Sequence, residues 1–134
     1  MFFKDRHEAG KKLAKALWGY RGREDVVVVA LPRGGFPVAY EVALALKAPL
    51  EVFITRKIGV PGDPELAAGA IAENGDIFVD QGKVEDYAIH PLYLEREIAR
   101  RTQEIAHLQQ VCREGKARRP LKGYIVIVVD DGVA

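Results

Sequence analysis

Apolar residues recur at helical spacing at Ala9, Leu13, Ala16 and Leu17, predicting an amphipathic helix that Asp5 caps and Gly19 and Gly22 end. Val26 to Leu31 then runs apolar without polar alternation, the pattern of a strand covered on both faces of a parallel sheet. The turn Pro32-Arg33-Gly34-Gly35 leads into a second helix, about Pro37 to Leu46, with proline tolerated in its first turn. Pro49 opens another strand, Leu50 to Thr55, followed by a loop rich in glycine and proline from Gly59 to Pro64. Leu66 to Glu73 and Ile77 to Asp80 predict two strands joined through Asn74-Gly75, a strong hairpin signal.

A long helix is predicted from about Pro91 to Glu114, with Leu94, Ile98, Ile105, Leu108 and Cys112 on one stripe. Its Arg96, Arg100 and Arg101 against Glu95, Glu97 and Glu104 read as a solvated face with helical ion pairs. The last strand, Tyr124 to Val129, is again aliphatic and runs into Asp130-Asp131-Gly132-Val133-Ala134. This order predicts an α/β fold: a mainly parallel sheet flanked by helices, with a small hairpin. An open sheet should not stop at a loop beyond a strand's carboxyl end, so the chain is expected to lack a C-terminal part.

Composition narrows the class. The 134 residues suit one domain, residues 1–134, and 49% hydrophobic with 29% charged residues suffices for a core. Twenty basic against nineteen acidic residues leave a net charge of +1, which argues against a protein held to nucleic acid by charge alone. The single Cys112 cannot form an internal disulfide and suits a reducing cytosol. The longest aliphatic run is far short of the roughly 20 residues a membrane span needs, and the charges at Lys4-Asp5-Arg6 leave no signal peptide. A cytoplasmic protein with no membrane partner is expected.

Candidate chemistry gathers past predicted strand ends, where open α/β sheets build their sites. Arg33-Gly34-Gly35 reads either as a tight connection or as an anion cradle, where bare backbone lets N–H groups approach a phosphate. It is neither a P-loop nor a Rossmann glycine motif. Arg56-Lys57 reads as solvated charge or as two cationic donors. Asp130-Asp131 reads as a helix cap beside a solvated carboxylate, or as a pair holding hydroxyls or a hydrated metal. Together the clusters fit a phosphorylated sugar. His7, His90 and His107 show no metal-ligand spacing, Cys112 is expected in the core, and the absence of serine excludes a serine nucleophile within the segment. Trp18 and Tyr20 could stack on a base, but packing is the favoured reading.

Val26 to Gly35 (Val-Val-Val-Val-Ala-Leu-Pro-Arg-Gly-Gly) and Tyr124 to Ala134 (Tyr-Ile-Val-Ile-Val-Val-Asp-Asp-Gly-Val-Ala) resemble the type I phosphoribosyltransferases. In that family a hydrophobic strand and two acidic residues open the signature for phosphoribosyl pyrophosphate (PRPP). Arg56-Lys57 before a flexible loop is similar to the orotate branch. The wider Arg-Lys-x-Gly-x-Pro-Gly-x-Pro-Glu-Leu pattern, followed by Gly-Ala-Ile-Ala-Glu, looks more like a branch with no assigned base.

The resemblance implies Mg-dependent transfer of a phosphoribosyl group from PRPP to a nitrogen acceptor such as a nucleobase, in nucleotide salvage. It places Arg33, Gly34 and Gly35 in the pyrophosphate loop, and Arg56 and Lys57 on the leaving pyrophosphate. Asp130 and Asp131 would hold the ribose hydroxyls, with Gly132, Val133 and Ala134 continuing the substrate loop. Magnesium would bridge pyrophosphate and ribose oxygens without direct protein ligands. About residues 66–90 would form a mobile hood, and a homodimer is left open. The family signature continues into Thr-Gly-x-Thr, the grip on the 5-phosphate, so a chain ending at Ala134 is expected to bind PRPP poorly. The rival reading is a PRPP-sensing regulator with the same pocket and no turnover; a generic sugar-phosphate-binding domain is a third.

Overall fold

The computed structural model describes residues 2–113 and 119–132. The chain divides into two compact units, Met1–Phe53 with Ala117–Ala134, and Ile54–Lys116. In chain order the elements begin with α1 (Arg6–Ala16), β1 (Val26–Ala30), α2 (Gly35–Leu46) and β2 (Leu50–Val52). They continue with β3 (Thr55–Val60), β4 (Asp63–Ala72), β5 (Ile77–Val79), α3 (Gln81–Asp86), α4 (Pro91–Arg113) and β6 (Ile125–Val129).

The first unit is a parallel sheet ordered β2-β1-β6, packed by helices. All five residues of β1 are buried, as a run without polar alternation requires of a central strand. Val28 and Ala30 pack with Val38, Ala39, Val42, Ala43 and Leu46 of α2 and with Val129. The predicted cap on α1 forms: Asp5 accepts from the Glu8 N–H at 2.8 Å. Gly10 lets α1 pass close over α2, since a Cβ there would lie 2.7 Å from both Glu41 Cβ and the Val38 carbonyl. His7 Nδ1 meets Glu41 Oε1 at 3.0 Å and ties the same two helices again. Trp18 is not packed away: it is 53% exposed, with the Arg21 guanidinium 4.8 Å from its ring centre. Tyr20 is also exposed.

The second unit is an antiparallel sheet ordered β3-β4-β5, against which α4 packs. Asn74-Gly75 joins β4 and β5 as the hairpin signal predicts, and the hood expected over residues 66–90 falls inside this unit. Two readings are corrected here. The strand predicted from Leu50 to Thr55 ends at Val52, and Thr55 starts β3. The predicted loop from Gly59 to Pro64 shrinks to Pro61-Gly62, because proline presets the first corner and Gly62, at φ 83°, takes the second. Tyr93 of α4 donates its hydroxyl to the Gly59 carbonyl at 2.6 Å, and burial pushes the phenol above its ordinary pKa. Ile105 and Leu108 are buried as the α4 stripe predicts, but Cys112 is exposed. The last turn directs Arg113 onto the buried Glu73 instead, and Cys112 lies about 100° round the helix from it.

Candidate active site

The parallel sheet brings two of the predicted clusters to one edge. β1 and β6 stay in register to their last residues, with Ala30 opposite Val129, and the Leu31 N–H donates to the Val129 carbonyl at 3.0 Å. Arg33-Gly34-Gly35 and Asp130-Asp131 therefore leave the sheet side by side, outside the strands' carboxyl ends.

Between Leu31 and α2 the chain turns sharply. The Pro32–Arg33 peptide is cis, the Gly35 N–H returns to the Leu31 carbonyl at 3.1 Å, and the Phe36 N–H to the Arg33 carbonyl at 3.2 Å. Among the described residues the N–H groups of Arg33 and Gly34 donate to no protein acceptor. Both glycines are needed for close approach. A Cβ on Gly35 would lie 2.8 Å from the Val129 carbonyl and 3.0 Å from Asp130 Cα. One on Gly34 would lie 2.1 Å from Asp131 Oδ2. The tight connection is thus real, and it seats the glycine turn directly against the acidic pair.

The two carboxylates have different environments. Asp130 Oδ1 accepts the Asp131 N–H at 2.9 Å and bends the chain after β6. Asp131 Oδ2 accepts from Arg6 twice, from Nε at 3.2 Å and Nη2 at 2.9 Å. The Arg6 guanidinium holds the Asp131 carboxyl below its ordinary range. Sequence reading missed Arg6, which is 125 positions away. Its one local signal is electrostatic: a cation in the first turn of a helix opposes the helix dipole, so it needs an anion from elsewhere. Gly132 is exposed, while Val133 and Ala134 lie outside the described residues.

Arg56 and Lys57 do not follow a parallel strand as expected; they lie within β3 of the second unit. There the Arg56 Nε stands 3.6 Å from Glu104 Oε2 and its Nη1 donates to the Thr55 carbonyl at 3.2 Å. Lys57 Nζ reaches Glu65 Oε2 at 3.3 Å and the Glu65 carbonyl at 3.2 Å.

Among the described residues no three His, Cys, Asp or Glu side chains converge to hold a metal ion. The donor set therefore does not fit a magnesium ion caged by the chain. No helix among the described residues is long and apolar enough to cross a membrane.

The phosphoribosyl transferase domain model matches residues 3–134. The chain belongs to that family. Two relatives from Mycobacterium tuberculosis, strains CDC 1551 / Oshkosh and H37Rv, both provisionally named phosphoribosyl transferases, are each 42% identical over 132 residues. That match takes in 98% of this chain but 30% of each relative, so the chain spans about a third of their length. The crystal structure of TT1426 from Thermus thermophilus is similar with a TM-score of 0.75 and 41% identity, over 97% of this chain and 61% of that one. The type I resemblance and the α/β fold with a parallel sheet are both upheld by these matches.

Proposed function

We propose that the protein transfers the phosphoribosyl group of Mg–PRPP to a nitrogen acceptor, a nucleobase, and releases pyrophosphate. The observation that carries this reading is the pairing of Asp130-Asp131 with the Arg33-Gly34-Gly35 turn at one sheet edge. Carboxylates accept hydrogen bonds from ribose hydroxyls, while the Arg33 guanidinium and the two uncommitted amides suit pyrophosphate oxygens. The acceptor nitrogen attacks the anomeric carbon, and the bond to pyrophosphate breaks with its electron pair leaving on oxygen. The acceptor's surplus proton is then lost. Magnesium enters as part of the substrate salt.

Positive charge builds on the sugar and negative charge on the leaving group, so fixed donors aimed at pyrophosphate lower the barrier. The family resemblance assigns Arg56 and Lys57 to that charge. For either to act, Arg56 must exchange Glu104 for the ligand and Lys57 must exchange Glu65.

The test is to incubate the full-length gene product with Mg–PRPP and a pool of nucleobases and record pyrophosphate release. Release that depends on one base establishes the reaction and identifies the acceptor. Saturable PRPP binding without release would replace it with the sensing reading, and no binding would overturn both.

A further inference from the structure

We propose that Arg6 is a positioning residue for Asp131, fixing the carboxylate that receives the ribose. The inference rests on the phosphoribosyl reading and adds to it a residue from an element that reading does not use.

Both Arg6 contacts fall on Oδ2, at 2.9 and 3.2 Å. Among the described residues nothing donates to Asp131 Oδ1, so that oxygen keeps its lone pairs for a hydroxyl. Gly34 closes the other side, since even a Cβ there would crowd all three atoms of the carboxyl group. The carboxylate is therefore held from two directions with one oxygen free, which is how a hydroxyl acceptor is preorganised.

The support behind Arg6 is rigid. Asp5 caps the turn that carries it, Gly10 seats α1 on α2, and His7 ties the same turn to Glu41. Stability alone explains the pair poorly: the Arg6 side chain is 58% exposed and that of Asp131 35%, and ion pairs this open contribute little to folding. The guanidinium fork puts two N–H groups on one oxygen, which the single ammonium of lysine does not reproduce.

The experiment is a double-mutant cycle on the full-length gene product, using Arg6→Gln, Asp131→Asn and the two combined. It measures Mg–PRPP affinity by calorimetry, kcat and KM for pyrophosphate release, and melting temperature. Arg6→Gln is expected to weaken Mg–PRPP binding or kcat/KM by about 10- to 100-fold, with little change in melting temperature. Arg6→Lys should restore part of the loss. In the Asp131→Asn background Arg6→Gln should add little, because its effect passes through that carboxylate.

Equal losses in both backgrounds would overturn the proposal, as would an Arg6→Gln variant that binds and turns over like wild type. A loss explained by unfolding, with melting temperature falling in step, would overturn it as well. Wild-type protein that binds no Mg–PRPP overturns the phosphoribosyl reading and this proposal with it. Normal wild-type binding with no Arg6 effect overturns this proposal alone.

Discussion

Gly34 lies so close to Asp131 that a single methyl group on it would stand 2.1 Å from the carboxylate oxygen Oδ2. Its neighbour Gly35 is packed against backbone instead, 2.8 Å from the Val129 carbonyl by the same measure. The two glycines should therefore fail differently. Gly34→Ala can be accommodated by swinging the Asp131 side chain away, so it should leave the fold largely intact and abolish Mg–PRPP binding. Gly35→Ala has no flexible neighbour to displace and should cost about 1–3 kcal/mol of stability. Thermal melts and calorimetry on both variants decide this; equal stability losses would refute it.

Arg56 and Lys57 offer a separable test of charge stabilisation. Removing Arg56 leaves Glu104 still paired with Arg101 at 2.9 Å, and Lys57 is half-exposed on a fully exposed Glu65. Neither truncation should unfold the protein. If these cations meet the leaving pyrophosphate, Arg56→Ala and Lys57→Ala should each cut turnover by about 100- to 1,000-fold. Arg23→Ala, which removes only a surface pair with Asp25, serves as the control. Steady-state pyrophosphate release measures all three, and equal losses at Arg23 would sink the assignment.

Much of the fold is legible in the chain because the strongest signals are local. Val26 to Ala30 and Ile125 to Val129 can only be buried strands, and whatever follows such strands in a parallel sheet emerges at a common edge. Asp5 and Asn74-Gly75 likewise carry their meaning in their immediate neighbours. Sequence reading fails where a local pattern has two solutions or where the partner is distant. Pro61-Gly62 serves a tight turn as well as a loop, which hides β3 and sets Arg56-Lys57 beyond a strand rather than inside one. Cys112 falls on the apolar stripe by spacing, but the salt bridge between Arg113 and Glu73 sets the rotation of that last turn. Arg6 finds its partner across 125 positions, a separation no periodicity encodes.

Acid should loosen the start of α1 first. The Glu8 amide lowers the pKa of Asp5, and the Arg6 guanidinium lowers that of Asp131. A carboxyl whose folded value is depressed contributes stability above its unfolded value, here about 3.8, and loses it as the pH falls through the folded one. The cap and the Arg6 tie are therefore complete near neutrality and should fail together below about pH 4. Carbon-13 titration of both carboxyls, with the Glu8 amide shift as reporter of the cap, should show midpoints below ordinary aspartate. Arg6→Gln should raise the Asp131 midpoint and leave that of Asp5 nearly unmoved.

The second unit carries an ion pair of another kind. Glu73 and Arg113 meet at 2.9 Å with side chains only 3% and 9% exposed, and Glu73 also accepts the Ile54 N–H at 2.7 Å. Out of water, a charge that loses its partner is not compensated by solvent, so breaking such a pair is far more damaging than its net contribution suggests. Arg113→Met should cost about 3–5 kcal/mol. Changing Glu73→Gln at the same time removes the stranded charge, keeps an acceptor for the Ile54 N–H, and should recover much of that loss. Urea unfolding of the two variants measures both terms. A double variant no more stable than Arg113→Met would show that Arg113 contributes by packing its side chain rather than by neutralising Glu73.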